Sequence, residues 1–376
     1  MSINNDWHTH VCTSTYTSDV SGVCSVMYEL GGLTLLHDPS GCNSTYTTHD
    51  EPRWYDSASL MFISGLDEMS AVLGDDSKII EDACLAIHDL KPKFVTLCGA
   101  SIPHIIGFDY KGVAKLIEER CGVPVIPVTT DGLRSYISGI GKATRSWIQR
   151  FAKEDVNKKN EINLLGITPI DFGSIDIFHS LKKNYENIGE TINCSFALEE
   201  SFESLTNILQ AMINCVPSSA GRIPAKYMYS KYKIPYVEGL PVGPYMSQRI
   251  QECINLSKNT NMNQIAYEES EEGDVLVIGE EIYAKSMATE INHGNTIHQA
   301  FYMFPDDSEG LNEDDLIEAI QRSSIIICDP LFKNLIDDNK KVISIPHIGY
   351  SGRIYIKDMT NYLSDEFDIN KKLEGK

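Results

Sequence analysis

The chain has 376 residues, of which 42% are hydrophobic, and its formal net charge is −21 at pH 7. At roughly 150 residues per domain, this length predicts two to three domains with real cores. The acidic balance argues against a nucleic-acid partner, because phosphate binding needs basic patches and the sequence shows none. No stretch approaches the ~20 apolar residues of a membrane span, so no membrane association is expected.

The first residues of the chain and its cysteine content indicate the cellular compartment in which the protein is expected. The polar "MSINNDWHTH" lacks the apolar segment of a secretory signal, which favours a cytoplasmic location. Ten cysteines in a chain of this size are too sparse for a disulfide scaffold. In a reducing compartment we expect them to be thiols or metal ligands.

Strand and helix patterns alternate along the whole chain. The first unit shows predicted strands at 33–36, 91–101 and 123–130, with helical spacing at 78–90 and 110–122. This βαβ order predicts a parallel sheet, with ligands expected at the carboxyl ends of its strands. No G-x-G-x-x-G motif follows any predicted strand, so a dinucleotide site is not supported.

The pattern restarts twice after the first unit. The charged segment 150–161 is a linker candidate, and the acidic segment 268–274 precedes the last unit. The sequence therefore predicts an α/β protein of three doubly wound, parallel-sheet, Rossmann-like modules around a central cleft. Their predicted bounds are 1–150, 151–268 and 269–376.

The stretch "LTLLHDPSGCNSTY" at 33–46 carries the first candidate site residue. A strand that ends in a glycine-containing turn and opens a helix presents free backbone N–H groups. Cys42 follows this turn, where the helix dipole would favour its thiolate. The alternative is a small buried hydrophobic residue, as a single free cysteine often is.

Three further candidates fall at predicted strand ends. Cys98 ends "FVTLC", Cys215 ends "ILQAMINC", and His347 lies just beyond "VISIP". Thiolate and imidazole ligands suit iron–sulfur chemistry or zinc, but the C-x₂-C pair typical of zinc sites is absent. Cysteines on separate strand ends favour a cluster between domains or subunits. The local sequence decides nothing for Cys12 and Cys24. Ordinary packing is expected for the other cysteines: Cys84, Cys121, Cys194, Cys253 and Cys328.

Five segments, in the right order, resemble the component 1 subunits of the nitrogenase superfamily. "HDPSGC" is similar to that family's His-Gly-x-x-Gly-Cys turn. Together the segments span nearly the whole chain, and they lie at 37–42, 64–109, 122–143, 213–245 and 346–359.

The resemblance implies an iron–sulfur cluster, either 4Fe-4S or a larger P-cluster-like one, shared across a dimer interface. Cys42 is the implied ligand that matches best, with Cys98, Cys12 and Cys24 as further candidates. The family's first cluster cysteine would fall between Cys12 and Cys24, and neither aligns cleanly. Its third usually lies three residues beyond Cys98, where this chain has Ser101.

Cys215 and His347 resemble the pair that anchors the large catalytic cofactor of the family. They imply a second metallocluster or a tetrapyrrole pocket, and the two side chains would then face one cleft. The alternative is a buried cysteine and a histidine satisfied by backbone groups.

The resemblance implies an oxidoreductase subunit that receives electrons from a nitrogenase-iron-protein-like ATPase reductase. Its dimer mate would be an identical chain or a sister component 1 subunit. Three alternatives stay open: a scaffold for nitrogenase-type metallocofactor assembly, a reductase of tetrapyrrole rings, and a non-redox binding protein on the same fold. The sequence names no substrate.

Overall fold

The described residues form three separate sheets. The structure is a computed structural model that describes residues 17–39, 51–55, 57–304 and 313–375. Every pair of neighbouring strands in the three sheets is parallel. The predicted α/β class with three parallel sheets is confirmed, and we call each sheet with its helices a module.

The first sheet has the strand order β2–β1–β3–β4, from β1 (Leu33–His37), β2 (Leu60–Ile63), β3 (Val95–Gly99) and β4 (Val125–Pro127). Its helices are α1 (Asp19–Met27), α2 (Glu68–Leu73), α3 (Ser77–Leu90), α4 (Ser101–Ile105), α5 (Tyr110–Cys121) and α6 (Tyr136–Phe151), and Pro52–Tyr55 is a 3₁₀ turn. Strand β4 is shorter than predicted, because prolines at 124 and 127 cannot donate to a ladder.

The second sheet has the order β6–β5–β7–β8–β9, from β5 (Lys159–Leu165), β6 (Ile192–Phe196), β7 (Ala211–Val216), β8 (Tyr236–Glu238) and β9 (Gln264–Ile265). Its helices are α7 (Pro169–Phe172), α8 (Ile175–Asn187), α9 (Phe202–Leu205), α10 (Arg222–Tyr232) and α11 (Pro244–Thr260), with 3₁₀ turns at Ile208–Gln210 and Ser219–Gly221. Within the segment predicted as a linker, α6 runs to Phe151 and β5 begins at Lys159, so residues 152–158 connect the helix to the strand.

The third sheet has the order β11–β10–β12–β13, from β10 (Val275–Ile278), β11 (Ala300–Met303), β12 (Ile325–Cys328) and β13 (Lys341–Ser344). Its helices are α12 (Glu281–Gly294), α13 (Glu313–Arg322), α14 (Ile348–Ser351) and α15 (Ile369–Glu374), with 3₁₀ turns at Pro330–Leu335 and Ile356–Asp358. No helix that the described residues form is both long and apolar enough to cross a membrane.

Helices α1 and α6 touch at backbone distance because two glycines face each other's helix. A Cβ added to Gly139 would lie 1.8 Å from the carbonyl oxygen of Asp19. One added to Gly22 would lie 2.2 Å from the carbonyl oxygen of Tyr136. The close approach leaves every residue of α1 buried. It also places Cys24 inside the protein.

An aromatic cluster packs the first module against the second. The ring of Trp147 on α6 lies 5.3 Å, centroid to centroid, from each of Phe151, Phe196 and Phe202. Aromatic contacts of this geometry stabilise by ~0.5–1.5 kcal/mol each beyond the area they bury. One continuous core therefore joins residues of all three sheets.

Candidate functional site

His37 closes strand β1 at the edge of the first sheet where Cys42 was predicted to act. Its Nδ1 lies 2.8 Å from the Ser64 hydroxyl, and its ring packs 4.2 Å from that of Phe108. Burial lowers the pKa of His37 to about 4, so the imidazole is neutral at pH 7. Asp38 and Pro39 follow. Cys42 and Cys12 lie outside the described residues, so their placement stays a prediction.

Cys24 and Cys98 are brought together, but inside the core. Cys98 lies in β3, and its side chain points at α1, where it meets the thiol of Cys24. The hydrogen bond with Cys24 and burial hold the pKa of the Cys98 thiol well above its usual value. Cys98 is 0% exposed and Cys24 is 3% exposed.

In the described part of the chain, these two thiols are enclosed by core side chains. Neither sulfur lines the cavities beside His37 or His347, or the one between α8, α11 and α12. Within the same residues, no three His, Cys, Asp or Glu side chains are grouped to hold a metal ion. Ser101 lies half-buried at the start of α4, directly beyond β3 at the sheet edge.

The same edge of the first sheet carries exposed apolar side chains, which we call the apolar edge. They follow the carboxyl ends of β2, β3 and β4, and helix α2 buries none of its residues. Carboxyl ends of parallel strands share one edge of a sheet, so these side chains lie on the side where Asp38 and Pro39 leave β1. The apolar edge comprises Met69, Val72, Leu73, Ile102, Ile105, Ile106 and Leu133.

His347 lies where the second and third sheets meet, as the N-cap residue of α14. Its Nδ1 accepts a hydrogen bond from the backbone N–H of Gly349 at 3.1 Å. The ring proton is therefore on Nε2, which lies 3.2 Å from Oδ1 of Asp171. This is the partner for the second imidazole nitrogen that the sequence did not identify.

Asp171 also binds one side chain of the first module and one of its own module, the second. Its Oδ1 accepts a hydrogen bond from the Tyr136 hydroxyl of α6. Its Oδ2 accepts one from the Ser218 hydroxyl, which follows β7, at 2.5 Å. One buried carboxylate thus connects side chains from all three modules.

Two more buried carboxylates complete this polar cluster. Asp329 accepts hydrogen bonds from the His347 backbone N–H at 2.7 Å and from the Ser351 hydroxyl at 2.8 Å. Glu280 caps α12 and accepts from the Ser219 N–H at 2.9 Å. Burial and the charge of Asp171 raise the pKa of Glu280. Asp329 directly follows β12 and Glu280 lies two residues beyond β10, so the reasoning that selected His347 could have found them.

Side chains close the place where the central cleft was expected. The two cavities that His347 lines have volumes of about 10 Å³ each. Such a space holds about one water molecule, so this conformation does not accommodate a large metallocluster or a tetrapyrrole.

Cys215 does not share a cavity with His347. It lies near the end of β7, as predicted, one residue before Val216 closes the strand. Its buried thiol interacts with the hydroxyl of Tyr185 on α8, and burial raises its pKa. The residues lining the two cavities beside His347 do not include Cys215.

A cavity of the second and third modules was not predicted. It has a volume of about 740 Å³ and lies between α8, α11, α12 and the segment before α15. The ring of His293 stacks on Tyr245 there, with 3.5 Å between centroids. Glu290 accepts hydrogen bonds from the N-terminal N–H groups of α11, so that helix end is already capped.

A family model described as nitrogenase component 1 type oxidoreductase matches residues 26–276. NifE, a nitrogenase iron-molybdenum cofactor biosynthesis protein of Clostridium pasteurianum, is 26% identical over 216 residues, covering 54% of this chain and 45% of that protein. The nitrogenase molybdenum-iron protein alpha chain of Azospirillum brasilense is 26% identical over 235 residues, covering 56% and 46%.

The light-independent protochlorophyllide reductase of Mesostigma viride has a subunit that is 22% identical over 208 residues, covering 52% of this chain and 41% of that protein. In all three relatives, the match spans less than half of the relative's length. The solved structure titled "Nitrogenase Cp1 at pH 6.5" superposes with a TM-score of 0.62 at 14% identity, over 98% of each chain. This likeness concerns the fold.

Proposed function

Because the chain belongs to the nitrogenase component 1 type oxidoreductase family, we propose that it is an iron–sulfur oxidoreductase subunit. In this proposal Cys42 ligates a cluster at the edge of the first sheet, and a nitrogenase-iron-protein-like ATPase reductase supplies its electrons. The observation that carries the proposal is the apolar edge, which lies on the side where β1 leads toward Cys42.

The apolar edge suits a second component 1-type subunit, identical or a sister chain. Exposed apolar side chains that gather at one edge of a folded protein are typical of an interaction site. A subunit seated there would cover the strand ends of the first module and exclude water from the segment that carries Cys42. A cluster in that position would be shared between two subunits.

The proposed ligand set begins with Cys42 and leaves out Cys24 and Cys98, since the core encloses both thiols. Cys12 and Ser101 are further candidates, Cys12 from the segment outside the described residues and Ser101 from the sheet edge. A bound cluster supplies one-electron transfer. The neutral His37 and the apolar surroundings would tune its potential through burial and hydrogen bonding.

ATP-dependent reduction tests this function. The full chain is prepared without oxygen and mixed with a nitrogenase iron protein, its reductant and MgATP. We expect the visible absorption of the cluster to bleach only when ATP is hydrolysed, and a non-hydrolysable ATP analogue serves as the control. A cluster that keeps its absorption in the complete mixture would rule the electron-accepting role out.

An assembly scaffold is the second candidate. It is supported by the similarity to NifE over 216 residues and by the small cavities beside His347, which suit no large substrate. A scaffold would pass its cluster to an apo-acceptor protein without ATP-dependent turnover.

A reductase of tetrapyrrole rings is the remaining candidate. It is supported by the similarity to one chain of a protochlorophyllide reductase. Such an enzyme would bind a porphyrin and shift the absorption of that porphyrin.

A further inference from the structure

Two cysteines for which the sequence predicted ordinary packing lie side by side on the surface of the first module. Cys84 is in the middle of α3, and Cys121 is the last residue of α5. Their sulfurs are 2.8 Å apart, although the residues are separated by 37 positions. Both side chains are half-buried, so each is in contact with solvent as well as with the protein.

The two helices hold these sulfurs in place. Cys84 and Cys121 pack against the same apolar cluster, which includes Ala83, Ile87 and Ile117. The cluster fixes the helices in contact across the face of the sheet. The two sulfurs therefore meet without any rearrangement of the backbone.

The described cysteines offer no second pair of this kind. Cys24 and Cys98 also meet, but both are buried beyond the reach of a dissolved oxidant. Cys253 is half-buried as well, yet its hydrogen-bond partner is the carbonyl oxygen of Ile265 at 3.8 Å. Among the described cysteines, only Cys84 and Cys121 are both adjacent to each other and in contact with solvent.

We propose that Cys84 and Cys121 form a redox pair that closes reversibly into a disulfide bond when it meets a small-molecule disulfide. The thiolate of one cysteine attacks the oxidant and releases one thiol. The second cysteine loses its proton and attacks the mixed disulfide, which releases the other thiol. Two protein thiols and one small disulfide thus become one protein disulfide and two small thiols.

The surroundings of Cys121 set the order of the two steps. Burial raises the pKa of the Cys121 thiol to about 12, and a hydrogen bond with Cys84 acts in the same direction. The carboxyl end of α5 disfavours a thiolate further, since the helix dipole is negative there. Cys84 lies in the middle of α3, away from such a helix end, so it is the first nucleophile and Cys121 resolves the mixed disulfide.

The bond would join α3 to α5. The first turn of α3 lines the small cavity beside His37, through Lys78 and Ile79. A pair of this kind in a reducing compartment stays open and closes under oxidative stress. The inference depends on the positions of the two sulfurs and not on the proposed cluster.

Peptide mapping tests the pair directly. Trypsin places Cys84 in residues 79–93 and Cys121 in residues 121–134, and each peptide holds a single cysteine. The full chain is treated with oxidised glutathione, its free thiols are blocked with iodoacetamide, and the digest is analysed by mass spectrometry without reduction. We expect the two peptides to be linked, and dithiothreitol to separate them.

Matched variants complete the test. The linked peptide should disappear in Cys84→Ser and in Cys121→Ser and persist in Cys253→Ser. Oxidation should also raise the unfolding temperature of the wild-type chain and of Cys253→Ser, but not that of the other two variants. Stable glutathione adducts on both cysteines, or two iodoacetamide-blocked peptides after oxidation, would overturn the proposal.

Discussion

Nε2 of His347 lies 3.2 Å from Oδ1 of Asp171, and this contact ties the third module to the second. The same carboxylate oxygen binds the Tyr136 hydroxyl of the first module. All three side chains are buried, so their hydrogen bonds cannot be replaced by water without opening the protein. The contact therefore acts as a junction of the three modules, and the cluster around it closes the expected cleft.

Removing the carboxylate should weaken the whole fold. In Asp171→Ala, the donors of Tyr136, Ser218 and His347 each lose their contact with this carboxylate. Losing these buried contacts costs about 3–5 kcal/mol of the free energy of unfolding. Urea denaturation followed by circular dichroism measures this loss.

Asp365→Ala is the matched control for that variant. Asp365 pairs with Lys183 on the surface, where the two side chains are 65% and 57% exposed. An exposed pair contributes less than about 1 kcal/mol. Equal losses in the two variants would show that the junction does not hold the modules together.

Asp19 should make the stability of the protein fall as the pH rises. Burial is the main cause that raises the pKa of its carboxyl from 3.8 to about 6, although it accepts hydrogen bonds from the N–H groups of Asp131 and Gly132. Between these values the folded chain holds more protons than the unfolded chain, so the free energy of unfolding decreases with pH. The expected decrease is roughly 3 kcal/mol.

Asp19→Asn removes this titration. The difference between the free energies of unfolding of the wild type and the variant therefore reports the titration of Asp19 alone. The free energy of unfolding of the wild type, minus that of Asp19→Asn, should drop by that amount between about pH 4 and pH 7. Urea titrations at several pH values measure the difference. A difference that stays constant with pH would mean that burial does not perturb this carboxyl.

The positions of the strands were predictable, but the surroundings of their side chains were not. Apolar runs at β1 and β3 identified both strands, and Cys98 was correctly placed near a strand end. Whether it faced a ligand or the core depended on α1, a helix that the pattern did not reveal. The approach of α1 rests on Gly22 and Gly139, whose role becomes visible only when the helices are packed together.

The buried polar cluster around His347 was also only partly predictable from the sequence. Glu280 and Asp329 follow strands in the sequence, as His347 does, and that placement alone predicts a shared edge. Asp171 belongs to a four-residue helix that shows no periodicity. Its contacts with three modules depend on long-range packing, which no local pattern encodes. The family resemblance was confirmed because it used motifs spread along the chain.

The apolar edge should be the surface that a second component 1-type subunit covers. Val72 is 77% exposed on α2, so Val72→Asp leaves the isolated chain intact and places a charge in the proposed interface. We expect association to weaken at least tenfold, or by about 1.4 kcal/mol, as measured by anaerobic analytical ultracentrifugation.

Met262→Asp serves as the control for this substitution, since Met262 is 59% exposed on the second module, away from the apolar edge. It should leave association unchanged. If Met262→Asp weakens association and Val72→Asp does not, the interface lies elsewhere.

The iron and acid-labile sulfide content of two anaerobically purified variants tests the central claim most directly. Cys42→Ala removes the proposed ligand, and Cys98→Ala removes a thiol of the core. We predict that Cys42→Ala loses its iron, its sulfide and its visible absorption, while Cys98→Ala keeps all three. Circular dichroism verifies that both variants are folded. Wild-type iron and sulfide in Cys42→Ala, or their loss from folded Cys98→Ala, would contradict the account.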